Sequence, residues 1–211
     1  MAGRPLRDTV YEYVAKNVQN GVYTPAVKIS EESVARDLGV SRTPVRAALS
    51  QLALEGVVEK IPRRGFFVKK PDSETSKEIF AVLGYLDRRA AELVCPVLTV
   101  DDYHRMEECI AKMDVAITFT NFSDYSVNQN LFHSTYADKC PNQTLLVLLR
   151  SLMFSHIPHT YVGSSDDLFQ CFARCNQQHR LILAAFKKKE LPHLGQLVEE
   201  HWSDVEHEQY I

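Results

Sequence analysis

Gly39-Val40-Ser41-Arg42-Thr43-Pro44-Val45-Arg46 reads as the junction between two helices. Gly39 suits the left-handed turn that ends one helix. Ser41 suits the N-cap of the next, and Pro44 fits a first helical turn. Arg42 and Arg46, four residues apart, then project from one face. Two guanidinium groups at the opening of a short helix match what a major groove accepts, guanine edges and phosphates together. The stretch reads as a DNA recognition helix.

Outward from it, the first seventy residues give three helical segments and a hairpin. Val10, Tyr11, Val14, Ala15 and Val18 keep helical spacing, and Asn20-Gly21 closes that segment. The second helix opens at Ser30, places Glu31 and Glu32 near the positive end of its dipole, and buries Val34, Ala35 and Leu38. The third runs from about Arg42 to Glu55 and turns Val45, Ala48, Leu49 and Leu52 inward, with Gly56 ending it. Val57–Ile61 and Phe66–Val68 flank Pro62-Arg63-Arg64-Gly65, a hairpin with basic residues at its tip. Three helices followed by such a hairpin describe a winged helix-turn-helix.

Charge supports this division. Residues 1–71 hold 12 Lys/Arg against 7 Asp/Glu, a net +5, and residues 72–211 hold 12 against 20, a net −8. A basic module attached to an acidic remainder fits a nucleic-acid binder joined to something else. The five cysteines (Cys95, Cys109, Cys140, Cys171, Cys175) form no CxxC pair, which argues against a zinc ribbon and for buried free thiols. With no signal peptide and no apolar run near the ~20 residues that span a bilayer, a reduced cytoplasmic setting is expected.

Residues 5–70 resemble the N-terminal domain of GntR-family bacterial transcriptional regulators. The resemblance rests on Ile29-Ser30-Glu31, Val34-Ala35, Leu38 through Arg46, Ala48-Leu49, Leu52, Glu55-Gly56 and Arg64 through Val68. It implies base or phosphate contacts for Arg42, Thr43 and Arg46, and a minor-groove approach for Gly65. Ser41, Arg63 and Arg64 complete the expected DNA-binding set. Two departures stand out: Pro25-Ala26 replaces a usual Pro-Gly, which is expected to alter only the loop. Glu31-Glu32 replaces a usual Glu-Arg, so Glu32 would repel phosphate where the family has a basic contact.

Beyond Pro71-Asp72-Ser73, candidate helices cover about 75–95, 101–118, 122–139, 142–156, 166–189 and 193–208, an antiparallel all-α six-helix bundle. The expected domains are therefore 1–71 and 72–211. His179 and His201 lie 11 residues either side of Glu190. In an antiparallel hairpin they meet at one level, roughly 16 Å from the turn. With His133 they form a plausible site for Zn²⁺ or a similar divalent ion. Single histidines more often serve as ordinary core or surface groups.

Residues 75–205 resemble the FCD effector domain of the FadR-like branch, in its shorter VanR-like form. The matching segments are Leu131-Phe132-His133, Gln178 through Ala185, and His201. The resemblance implies a divalent metal, Zn or Ni, on an aspartate and three histidines, with a carboxylate effector completing the coordination. Here Gln129 occupies the aspartate position, and Leu83 that of a common family arginine. Tyr85, Arg88 and Arg150 are candidate effector contacts, with His156 and His159 as further lining residues.

The leading expectation is a homodimeric, ligand-responsive regulator, by default a repressor, on a palindromic double-stranded operator. Gln129 and Leu83 keep open a metal-free pocket for a non-acid ligand. A three-histidine hydrolase is the remote alternative. The chain has no HExxH, nucleophile elbow, phosphate-binding glycine loop or paired catalytic carboxylates, and no enzyme activity is expected.

Overall fold

The computed structural model describes residues 5–19, 21–70, 73–156 and 165–203. Helix α1 (Leu6–Gln19) leads through β1 (Lys28–Ile29) to α2 (Glu31–Leu38) and α3 (Arg42–Leu54), then to β2 (Val58–Ile61) and β3 (Gly65–Val68). Six helices follow: α4 (Ser73–Val94), α5 (Val100–Thr118), α6 (Phe122–Ala137), α7 (Gln143–His156), α8 (Ser165–Lys188) and α9 (Leu191–Ser203). The architecture is a winged helix-turn-helix followed by an all-helical domain.

The α2–α3 junction forms as its residues dictate. Ser30 caps α2, its hydroxyl accepting from the Ser33 N–H at 3.2 Å. Gly39 ends α2 at φ +63° and sends its N–H back to the carbonyls of Ala35 and Arg36. Ser41 sits at the N-cap of α3 in extended backbone, but its hydroxyl makes no capping bond.

The expected hairpin is part of a three-stranded antiparallel sheet in the order β1-β3-β2, with Lys28 opposite Phe67 and Glu59 opposite Phe67 from the other side. A two-residue strand carries no readable alternation, which is why β1 escapes the sequence pattern. Ala26, just before it, adopts φ +64° and donates its N–H to the Val68 carbonyl at 3.0 Å. That is the left-handed backbone a glycine takes freely and an alanine only under strain. The Pro25-Ala26 departure is therefore a matter of backbone strain as well as loop composition.

Among the described residues, two large hydrophobic cores result. One joins Val10, Val14, Val34, Val45, Leu49, Leu52, Val57, Phe66 and Val68. The other runs through all six later helices, from Phe80 to Trp202. In that second core α4 packs on α9 and α7, while α5 packs on α6 and α8. Helix α6 is enclosed on most sides and buries Asn128, Gln129, His133 and Thr135 along with Tyr125, Phe132 and Tyr136. Helix α5 starts on a capping box in which Thr99 and Asp102 exchange hydrogen bonds.

The cores touch through small contacts. Ser126 donates to the Gln19 carbonyl at 2.7 Å, the Tyr11 and Phe154 rings stack at 6.2 Å, and Gly21 packs so closely on Phe122 that a Cβ would lie 2.4 Å from its ring. Among the described residues, no helix is long and apolar enough to cross a membrane.

Candidate functional site

Arg42 and Arg46 face a cleft of about 510 Å³ between α2, the start of α3 and the wing. Six cations line it, Lys28, Arg42, Arg46, Lys60, Arg63 and Arg64, against Glu31 and Glu32. Glu31 is the hinge of the arrangement. Its carboxylate accepts from Arg46 Nη2 at 2.9 Å and Nε at 3.3 Å, and stands 3.5 Å from Arg42 Nη2. Both arginine side chains remain more than 60 % exposed while Glu31 is 13 % exposed. Exposed ion pairs add little stability. Their consequence here is orientation: the guanidinium groups are pre-set and still reachable.

Arg42, Thr43 and Arg46 also border a second depression on the outer side of α3, with Ala47 and Ser50. The Ser41 hydroxyl makes no capping bond, so the N–H groups that open α3 have no side-chain cap from it. At the wing, Arg64 donates its N–H to the Ile61 carbonyl at 3.1 Å, closing a turn with Pro62 and Arg63 at its corners. Arg63 sits at φ +64°, a turn position normally given to glycine or asparagine. Lys60 lies over the Phe66 ring and Arg64 over the Phe67 ring, at 5.8 and 5.3 Å, which props both cations on the sheet. Gly65, at φ +106°, begins β3 close to the Lys28 side chain. Lys28 and Lys60 were not legible as site residues in sequence. Lys28 stands on the strand that pattern missed.

The second constellation lies inside the helical domain. His133 on α6, His179 on α8 and His201 on α9 are all buried, and one ligand nitrogen from each lies within 4.8 Å of the others. The α8–α9 turn at Lys189-Glu190 places the last two level, with ring centroids 4.6 Å apart. Each imidazole has a Nδ1 partner. His201 Nδ1 faces Gln178 Oε1 at 2.9 Å, and His179 Nδ1 faces Asn176 Oδ1 at 3.4 Å. Asn176 spends its amide protons on the Ile110 carbonyl and Asp114 Oδ1, so its oxygen is turned to His179.

His133 Nδ1 lies 3.2 Å from Asp87 Oδ2 and 2.9 Å from the Tyr136 hydroxyl. Burial, then the charge and hydrogen bond of Asp87, pushes the Tyr136 phenol far up, so it stays protonated and donates to Asp87 Oδ2 at 2.7 Å. Trp202 Nε1 donates to the same oxygen at 2.8 Å.

With protons on all three Nδ1 atoms, the Nε2 lone pairs turn inward, and those of His133 and His179 oppose each other at 3.4 Å. Burial, then His201, His133 and Arg180, holds His179 well below the usual imidazole range, hence neutral. Three buried imidazoles with Nδ1 partners behind them are the donor set that Zn²⁺, Ni²⁺ or Cu²⁺ accepts. The residues therefore fit a metal. Gln129 is buried one turn before His133. Among the described residues, the Asp87 side chain is the one with a buried, unpartnered polar atom, Oδ1.

The expected effector contacts are not brought to this cluster. Tyr85 is 63 % exposed on the outside of α4. Arg88 is held at the surface by Glu92 at 3.0 Å and Glu199 at 2.6 Å. Arg150 pairs with Asp138 at 2.7 Å along another groove, between α6 and α7. Helical rotation sets this: Leu83 and Asp87, one turn apart, take the inward face of α4, and Tyr85 and Arg88 turn away from it. His159 and the side chain of His156 lie outside the described residues. Asp87 escaped the sequence reading because a single acidic residue beside two arginines looks like surface charge.

Comparisons with known proteins match both parts of the chain. Residues 6–68 match the family described as bacterial regulatory proteins, gntR family, and residues 78–204 match the FCD domain. The chain is 26 % identical over 204 residues to the HTH-type transcriptional regulator YdhC of Bacillus subtilis (strain 168), covering 95 % of this chain and 90 % of that protein. It is 23 % identical to the gluconate operon transcriptional repressor of the same organism, over 90 % of this chain and 79 % of the repressor. The solved structure of Escherichia coli McbR/YncC shares the fold, with a TM-score of 0.81 at 21 % identity, over 96 % of this chain and 95 % of that one.

Proposed function

Because this chain belongs to the GntR family of bacterial regulatory proteins and carries an FCD domain, we propose that it represses transcription by binding a palindromic operator as a homodimer. Residues 1–71 would form the DNA-binding module, and 72–211 the effector-binding and dimerisation module. The observation that carries this reading is the cleft in which Glu31 pre-orients Arg42 and Arg46 toward the wing cations. Ser41, Thr43 and Gly65 complete the surface that meets the duplex. Support for a second copy comes from Val82 and Tyr85 on α4 and Val147 and Leu148 on α7, large apolar side chains exposed on two helices that pack together.

In this reading His133, His179 and His201 hold a divalent metal, Zn or Ni, that supplies the positive charge for a small carboxylate effector. Among the described residues, two family or neighbouring candidates do not serve that task. Leu83 is fully buried at the family's arginine position, and Arg180 is engaged with Asp114 and the Asn176 carbonyl. Effector binding would shift the placement of the winged modules through the small contacts at Gln19, Gly21 and Phe154, changing how both recognition helices reach successive half-sites.

Arg46→Ala is the direct test. Losing a guanidinium contact costs about 1–3 kcal/mol per half-site, so operator affinity should fall by roughly 30-fold or more over two half-sites. Wild-type affinity in the folded variant refutes the DNA reading. For the metal, zinc retained after dialysis by the wild type and lost by His179→Ala supports the site, and equal zinc in both defeats it.

A further inference from the structure

We propose that Asp87 is the positioning carboxylate of the histidine cluster: from behind His133 it supplies the negative charge that position 129 lacks. This rests on the reading of the three histidines as metal ligands.

Asp87 is fully buried on α4, and its Oδ2 takes three donors from three directions, Tyr136 and His133 on α6 and Trp202 on α9. Among the described residues Oδ1 has none. Three donors on one oxygen fix the carboxylate in place with its charge only partly offset, and a buried charge needs an opposite charge nearby. No lysine or arginine contacts it among the described residues. The groups that do are a protonated phenol, an indole and an imidazole. A cation on the far side of His133 would act as a counter-charge to Asp87 through the ring.

The imidazole geometry gives that transmission a definite form. His133 Nδ1–H donates to Asp87 Oδ2, with Tyr136 Oη also within reach, so the tautomer is set and Nε2 becomes the electron-rich inward atom. The other two histidines are backed by neutral amides, Asn176 and Gln178. Among the contacts of the described residues, the carboxylate stands behind His133. The ligand set is therefore three imidazoles with one carboxylate a single hydrogen bond behind them. The acid sits on α4, in place of one directly on α6.

The test compares wild type, Asp87→Asn, Gln129→Asp and the Asp87→Asn/Gln129→Asp double variant. Zinc affinity is measured by competition with a chromophoric chelator, and folding by circular dichroism. Asparagine keeps the shape of Asp87 and removes its charge, so Asp87→Asn should bind zinc about 10–100-fold more weakly. Gln129→Asp should return most of that loss, because a carboxylate at 129 restores charge without touching Trp202 or Tyr136. Undiminished zinc affinity in Asp87→Asn overturns the proposal, and so does a loss that Gln129→Asp fails to rescue, which would mark Asp87 as a packing residue.

If Asp87→Asn does not fold, ¹⁵N shifts of His133 in the zinc-loaded wild type decide. A protonated Nδ1 is expected, and a protonated Nε2 overturns the proposal. If the wild type binds no zinc, or binds it equally after His179→Ala, the metal reading fails first and this proposal with it. Zinc bound through His179 with no dependence on position 87 removes the proposal alone.

Discussion

Arg63 at the wing tip lends itself to a two-signed experiment. Its φ of +64° places an arginine where the turn calls for glycine. A non-glycine residue in the left-handed region costs roughly 1–2 kcal/mol, and glycine there gives part of that back through the greater freedom of its unfolded chain. Arg63→Gly should therefore be more stable than Arg63→Ala by about 0.5–1 kcal/mol. That is roughly 1–4 °C in Tm if the whole chain melts as one unit, and about 2–8 °C if the winged part melts separately.

DNA binding should move the other way from stability. Both substitutions remove one cation from the cleft edge, and a phosphate contact contributes about 0.9 to the slope of log affinity against log salt. The slope should fall by about that much per wing, equivalent to a three- to fourfold smaller loss of affinity between 50 and 200 mM salt. Fluorescence anisotropy with an operator selected from random duplexes reads the slope, and calorimetry reads the Tm. Wild-type affinity and slope in both variants would refute the wing contact. Glycine no more stable than alanine would refute the strain.

Two further perturbations probe the scaffold. Ala26→Gly relieves the same kind of backbone strain away from the DNA surface, so it should raise stability by about 0.5–1 kcal/mol in urea titration without changing DNA affinity; a destabilised variant would contradict this. Asp102 is the subject of the other. Burial works against its ionisation, but Lys139 and the Thr99 N–H and hydroxyl outweigh it and hold the carboxyl down at about 2. A carboxyl depressed on folding contributes stability that is complete above its ordinary pKa, about 4, and is lost as pH falls toward about 2. Asp102→Asn should cost about 1–2 kcal/mol at pH 7, with the gap to wild type closing between about pH 4 and 2. A gap unchanged across that window rules out the ionised cap.

Local chemistry made much of this molecule readable in advance. Gly39, Ser41, Pro44 and Gly56 act within a few residues of themselves, so the junction of α2 and α3 follows from conformational preference alone. The equal spacing of His179 and His201 from Glu190 needed only a helical rise and one turn to bring the rings together. Helix α6 was harder, because a helix enclosed on most sides has no polar face to give a clean stripe, and its buried Asn128, Gln129 and His133 break the apolar pattern. Which arginine or tyrosine faces inward depends on helix rotation. That is fixed by packing against neighbours, and Tyr85, Arg88 and Arg150 turned outward accordingly.

Nearest-neighbour effects along the chain thus account for most of the elements, the junction of α2 and α3, and the shared level of His179 and His201. The bond from Asp87 to His133 spans 46 positions in sequence, and those from Glu31 to Arg42 and Arg46 span 11 and 15. Such pairings exist only after the hydrophobic cores have set the helices side by side, because each depends on two rotations and a separation that no local preference encodes. Packing is what turned an acidic residue in a run of surface charge into the buried partner of a histidine.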